Sequence, residues 1–168
     1  MYEIVGAKGN IQDIDDFLKQ VKEFSEKNGI IIQLFDADLI FGEKHIISAF
    51  KHAKRSINQK TNTTNSLEME LMLYAAGERQ LKLAIPKMGI NEGKSNLAIV
   101  FIGKDGKLNQ IVQSFFEHFK LKRDDKVLEG DENTLKKFGL TDEEIGTVAK
   151  AKYQDLILEK VALVDIIK

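Results

Sequence analysis

The chain has 168 residues, 43% of them hydrophobic and 30% charged, with 25 basic and 26 acidic side chains and a formal net charge of -1. That length supports one sizeable core, and the charge balance excludes a globally basic nucleic-acid binder while leaving room for a local basic patch. With no cysteine, disulfides, thiol nucleophiles and cysteine-ligated metals are excluded. The opening M-Y-E-I-V-G-A-K lacks the basic start and long apolar core of a signal peptide. No apolar run approaches bilayer length, so a cytoplasmic location without a membrane partner is expected.

Tyr2 to Ala7 predicts a short strand ended by Lys8-Gly9. Asn10 or Asp13 then caps a helix whose stripe is Ile14, Phe17, Leu18, Val21 and Phe24, stopped at Asn28-Gly29. Ile30 to Phe35 is a β-branched, mostly apolar run that predicts a buried strand. Asp36-Ala37-Asp38 follows, and Glu43 to Gln59 reads as a second amphipathic helix with Ile46, Ile47, Ala49, Phe50, Ala53 and Ile57 inward. The polar loop Lys60 to Asn65 leads into the most apolar stretch of the chain, Leu67 to Ala76.

In that stretch Glu68 and Glu70 alone interrupt the apolar run. A helix apolar nearly all round is packed on several sides. Asn65 is the expected N-cap with Glu68 at N3, and Gly77 is the expected stop. Glu78, Arg79 and Gln80 come directly after the break, so a buried helix delivers a cationic group to the surface at a fixed place. An ordinary solvated turn fits these residues too. A second helix follows with Leu81, Leu83, Ala84, Ile85 and Met88, and Pro86 within it is expected to end or kink it.

Asn91 to Lys94 reads as a turn, Ser95 to Ile102 as a strand, and Gly103-Lys104-Asp105-Gly106 as its close. Leu108, Ile111, Val112, Phe115, Phe116 and Phe119 give a helix with an aromatic inner face. The charged segment Lys120 to Asp131 has a short strand candidate at Val127-Leu128, and Thr134 to Gly139 a turn of helix. Thr141 with Glu144 forms a capping box that opens the last helix. There Ile145, Val148, Ala149, Leu156 and Leu163 are expected to face the domain, while Tyr153, Ile157, Val161, Val164 and Ile167 lie on another side. Two stripes mean either deep burial or a partner surface. With no repeat or linker, residues 1–168 read as one α/β domain with a small mixed sheet packed by several helices and a long C-terminal helix.

Chemistry is sparse. Asp36 and Asp38 end a buried strand, and spacing of two on an extended chain places both on one face. Paired carboxylates serve acid/base or metal chemistry, but turn chemistry explains them as well. With His45 they define the alternative of a small α/β enzyme. His45 and His52 lie two helical turns apart, too far to share a metal. Neither a phosphate-binding loop nor a nucleophile elbow nor a dinucleotide fingerprint is present, so no catalytic residue, metal or cofactor is assigned. A cationic cluster is better supported: Lys51, Lys54, Arg55 and Lys60 end one helix, and Arg79 and Lys82 begin another. If the loop 61–64 folds back, these charges converge near a helix N-terminus, where free amides meet phosphate. Asn62, Asn65 and Gln80 are suited to nucleotide edges in a single strand.

Three segments carry a resemblance: I-I-I-Q-L-F-D-A-D-L-I-F-G-E-K-H-I-I-S-A-F-K-H-A, then N-S-L-E-M-E-L-M-L-Y-A-A-G-E-R-Q-L-K-L-A-I-P-K-M-G-I, then E-K-V-A-L-V-D-I. In this order they resemble the small regulatory subunit of the KEOPS (EKC) complex, the PRPK-binding protein family, in an archaeal version. L-Y-A-A-G-x-R-Q with a downstream A-I-x-x-x-G-I is the most specific part, and Pro86 is a departure from it. The resemblance implies a non-catalytic subunit that docks on the amino-terminal lobe of the complex's atypical kinase/ATPase. Alongside a separate threonylcarbamoyltransferase subunit, it would promote threonylcarbamoyladenosine formation in tRNA and hold the tRNA 3′ CCA end. On that basis Arg55, Lys60, Asn62, Asn65, Ser66, Arg79 and Gln80 are the expected tRNA contacts. Tyr153, Leu156, Ile157, Lys160, Val161 and Val164 are the expected kinase contacts. A homodimer through the terminal helix is the third reading.

Overall fold

The computed structural model describes residues 1–104 and 106–168; the expected turn residue Asp105 lies outside the described residues. Strands β1 (Tyr2–Ile11) and β3 (Gly93–Ile102) pair antiparallel along their whole length, from Tyr2 opposite Ile102 to Ile11 opposite Gly93. Strand β2 (Ile31–Asp36) lines the other side of β3, and the short β4 (Lys122–Arg123) the other side of β1, giving the order β2-β3-β1-β4. The fold is α/β with a small sheet, as the sequence predicts. The sheet is antiparallel throughout rather than mixed. β1 and β2 run the same way, but β3 enters between them in the opposite direction, so no parallel pair forms.

By contact, the described residues group into two units: Met1–Ala37 with Ile90–Leu128, and Asp38–Gly89 with Glu129–Lys168. The first holds the sheet with helices α1 (Ile14–Asn28) and α5 (Leu108–Phe119). Alternation places Val5, Ala7 and Ile11 on one face of β1 and Leu97, Ile99 and Phe101 opposite them on β3. These residues join Val21, Leu108, Val112 and Phe115 in one core. Phe115 is fully buried, with its ring centroid 5.4 Å from Phe24, 5.1 Å from Phe101 and 4.5 Å from Phe119.

Two boundaries differ from expectation here. β1 does not stop at Lys8-Gly9 but runs on to Ile11, and its two glycines, Gly6 and Gly9, permit close packing rather than a turn. A Cβ on Gly6 would stand 2.4 Å from the Asp124 carbonyl, and one on Gly9 2.3 Å from the Leu121 side chain. Nor is Val127-Leu128 a strand: Asp125–Leu128 is a 3-10 turn, and the pairing residues are Lys122 and Arg123, opposite Lys8 and Ala7.

The second unit is helical: α2 (Gly42–Asn58), α3 (Leu67–Ala76), α4 (Leu81–Met88), α6 (Glu132–Phe138), α7 (Asp142–Ile145) and α8 (Tyr153–Ile167). α3 is buried from Glu70 through Ala76, as its composition requires. Its N-cap is Ser66, whose Oγ accepts from the Met69 amide at 3.3 Å, rather than Asn65. Gly77 ends it in the left-handed conformation at φ 66°. α4 runs past Pro86 to Met88, closed by the Gly89 amide on the Ile85 carbonyl at 2.7 Å. The Thr141–Glu144 capping box is present but opens only the short α7, whose C-cap is Gly146. The last helix begins afresh at Tyr153, after a 3-10 turn at Lys150–Lys152.

Phe115→Ala removes the ring that four other phenylalanines pack against. It is expected to destabilise the protein by about 3–5 kcal/mol, read as a lowered urea midpoint with an unchanged slope.

Candidate functional site

The loop between α2 and α3 does fold back, and one buried carboxylate holds it there. Glu70, in the first turn of α3, has no solvent exposure. Its Oε2 accepts from the Thr64 amide at 3.1 Å and the Thr64 hydroxyl at 2.6 Å. Its Oε1 accepts from the Ser56 hydroxyl at 2.9 Å, the Thr63 amide at 3.4 Å and the Lys168 ammonium at 2.7 Å. Burial raises the affinity of this carboxyl for a proton, but Lys168, Thr64 and Ser56 outweigh it and hold the group below the ordinary carboxylate range. Lys168, 5% exposed at its side chain, is likewise disfavoured as a cation by burial, yet Glu70 and Tyr74 raise its pKa above the ordinary value.

The folded loop makes one wall of a groove of about 450 Å³. Thr63, Thr64 and Asn65 line it from the loop, Met69 and Leu73 from α3, and Arg79, Gln80 and Leu81 from the start of α4. This size suits a small ligand or a piece of a flexible polymer. Its chemistry is mixed: apolar side chains for a flat base or a sugar, hydroxyl and amide groups for polar edges, and one guanidinium for phosphate. Arg79 and Gln80 are exposed, and among the described residues Arg79 is in no ion pair. A groove of similar volume in the first unit contrasts with it. The cation there, Arg123, lies 3.4 Å from Asp125 and is partly neutralised.

Of the expected tRNA contacts, the fold therefore brings Asn65, Arg79 and Gln80 into one groove. The other four do not line it. Asn62 braces the loop, donating from Nδ2 to the Thr64 carbonyl at 2.8 Å. Ser66 is engaged as the N-cap of α3. Lys60, at φ 59°, is exposed just beyond the end of α2. Arg55 pairs with Asp165 at 3.0 Å. Asp165 also lies 2.8 Å from His52 Nδ1 and accepts from the Tyr74 hydroxyl, and His52 stacks on the Tyr74 ring. Burial pushes the Asp165 carboxyl up, but Tyr74, His52 and Arg55 outweigh it and hold it low.

The second surface is α8. Ile157, Val161 and Val164, expected on a partner-facing side, have no solvent exposure; α8 packs on α2 and α3. Leu163, expected inward, is 37% exposed, with Ile166 at 77% and Ile167 at 45%. Two stripes exist, as the sequence indicates, but Ile157, Val161 and Val164 face inward and Leu163 outward, against expectation, while Ile167 is exposed as expected. Tyr153, Leu156 and Lys160 are half-buried, and Lys160 pairs with Glu144 at 2.8 Å.

The enzyme alternative loses its histidine. His45 is wholly buried, and both ring nitrogens are used: Nδ1 accepts from the Phe41 amide at 3.1 Å, which leaves Nε2–H to donate to the Ala75 carbonyl at 2.8 Å. Asp36 ends β2 and Asp38 lies in the 3-10 turn Ala37–Leu39, so the two do not share one extended face. Asp38 pairs with Lys137 at 3.5 Å. Among the described residues no group of three or more histidine or acidic side chains is placed to hold a metal, and no helix is long and apolar enough to cross a membrane.

Sequence reasoning passed over Glu70, Thr64, Lys168, Met69 and Leu73. For Glu70 the signal was present: a carboxylate inside an otherwise apolar helix must be either a surface break or a buried anchor, and only its phase with the buried residues decides.

Burial lowers the pKa of His45 to about 4, against the pull of the Ala75 carbonyl. The unfolded chain, with its histidine near 6.5, binds the extra proton first. Stability from this group is complete above about pH 6.5 and falls as pH drops toward 4, by about 3 kcal/mol in all. Urea unfolding between pH 7 and 4 is expected to show this loss. His45→Gln, though less stable at pH 7, is expected to lose that part of the slope.

The model of the family described as kinase binding protein CGI-121 matches residues 9–165. Regulatory protein Cgi121 of Methanocaldococcus jannaschii is 28% identical over 140 residues, which cover 83% of this chain and 87% of the relative. The matched span includes the Glu70 anchor, the groove and almost all of α8. The chain therefore belongs to the CGI-121 family of kinase-binding proteins, regulatory proteins rather than enzymes.

Proposed function

We propose that this chain is the subunit of a cytoplasmic KEOPS complex that docks on the complex's atypical kinase/ATPase and holds the 3′ CCA end of tRNA. In this way it promotes threonylcarbamoyladenosine formation by the separate catalytic subunit. The observation that carries the RNA half is the convergence of Asn65, Arg79 and Gln80, from two segments of the chain, on one groove whose arginine is not neutralised. A single strand needs charge for its phosphates and flat or apolar surface for its bases. Arg79 supplies the first, and the half-buried Met69 and Leu81 the second, with Asn65 and Gln80 for base or sugar edges. Lys60 and Arg55 lie outside the groove and are assigned to phosphates further along the strand.

The kinase half rests on the family and on the outer stripe of α8. Leu163, Ile166 and Ile167 offer exposed apolar area, which a partner lobe would cover. Leu156, Tyr153 and Lys160 border it. Ile157, Val161 and Val164 act indirectly by fixing the helix on its own unit. Holding the kinase and the RNA tail at once raises the local concentration of substrate, so stimulation requires no catalytic group from this chain.

tRNA binding by the purified protein tests the first half. Full-length tRNA is expected to bind more tightly than tRNA lacking its CCA end. Arg79→Glu is expected to weaken the former roughly tenfold, and affinity is expected to fall with salt. Equal binding of truncated tRNA would remove the groove from this reading. For the second half, Ile166→Asp is expected to weaken kinase-subunit binding on the order of tenfold while leaving thermal stability nearly unchanged. A stable homodimer that the kinase subunit does not displace would assign the outer stripe of α8 to self-association instead.

A further inference from the structure

We propose that Glu70 and Lys168 are positioning residues that link the groove energetically to the last turns of α8, so that filling one steadies the other. The inference rests on the groove's role as a single-strand site and extends it to regulation. It starts from what one carboxylate holds. On Oε2 and in part on Oε1, Glu70 fixes Thr63 and Thr64, the groove wall. On Oε1 it fixes Lys168, the residue directly after α8, and Ser56 in the last turns of α2. Lys168 also donates to Ser56 and lies 4.7 Å from the centre of the Tyr74 ring. The same closing turns of α8 carry Leu163, Ile166 and Ile167 on their outer side and Asp165 toward Tyr74.

The chemistry makes this junction hard to loosen in part. A buried carboxylate stripped of its cation is strongly disfavoured as an anion. It would take up a proton or water, and in either case its bonds to the Thr64 amide and hydroxyl weaken. Conversely, a ligand in the groove that requires the wall in its present place stabilises the carboxylate as placed, and with it the seat of Lys168. Coupling of this kind is reciprocal by thermodynamic necessity. Lys168 does not line the groove; its side chain reaches the wall through Glu70 directly and through Ser56, which donates to the same carboxylate.

Hydrogen exchange on the full chain tests this directly. In Lys168→Met, the Thr63 and Thr64 amides are expected to exchange roughly tenfold faster than in the unsubstituted protein, within the range usual for coupled sites. Lys168→Arg, which keeps the charge, is expected to restore most of the protection, and Ile166→Asp, on the outer side of α8, to leave it unchanged. The converse experiment adds a single-stranded oligonucleotide ending in CCA. Exchange of the Lys168 amide, which donates to the Val164 carbonyl at 3.1 Å, is expected to slow in the unsubstituted protein and not in Lys168→Met. Equal Thr63 and Thr64 exchange in Lys168→Met and the unsubstituted protein overturns the coupling. So does an oligonucleotide that binds without altering the end of α8. If the oligonucleotide does not bind at all, the groove's role fails, and the exchange comparison without RNA still decides whether the two sites are linked.

Discussion

Placing a carboxylate inside the most buried helix of this chain is costly, and much of the helical unit is arranged around that cost. An unpaired ion in such a place costs several kcal/mol. Glu70 is kept charged because three segments bring it donors: the end of α2 through Ser56, the connecting loop through Thr63 and Thr64, and the residue after α8 through Lys168. Apolar packing alone would hold α2, α3 and α8 together, but it is non-directional. The hydrogen bonds to Glu70 fix where the loop lies and where α8 ends. The groove follows from that placement.

The same unit shows how polar groups are tolerated in a tight core when every valence is met. His45 is neutral, with one ring nitrogen accepting and the other donating. Lys87 donates to the Ala76 carbonyl at the C-terminal end of α3 and sits 3.8 Å from the centre of the Phe138 ring. Burial lowers its pKa, with the Glu78 carboxylate pulling the other way. There a cation meets the negative end of a helix and the face of an aromatic ring. Such sites restrict the geometry more than they add stability.

The groove and the outer stripe of α8 differ in shape and chemistry. The groove is a concavity lined by the apolar Met69, Leu73 and Leu81 and by the polar Thr63, Thr64, Asn65, Arg79 and Gln80. The outer stripe of α8 is convex and apolar, with Ile166 the most exposed large aliphatic in the chain at 77%. Exposed apolar area of this kind favours a permanent or frequently occupied partner, whereas a charged groove favours a partner that comes and goes with fast, salt-dependent steps.

The sequence by itself determined most elements: the apolar stripe of α1 apart from Leu18, which is exposed, the buried run of β2, the length of α3 with its glycine stop, and the aromatic face of α5 follow from period and capping alone. It also marked Arg79 and Gln80, because a glycine break after a buried helix fixes what comes next in space. Its family motifs were legible because they are contiguous. Tertiary structure decided the rest. Which stripe of α8 faces inward depends on what α2 and α3 offer it, and two apolar stripes on one helix are equivalent until then. The direction of β3 between β1 and β2 is a choice among pairings that local propensity does not distinguish. Glu70 and Lys168 lie ninety-eight residues apart, and a carboxylate in one helix does not announce the distant ammonium that makes its burial affordable; only the folded chain brings the two charges together.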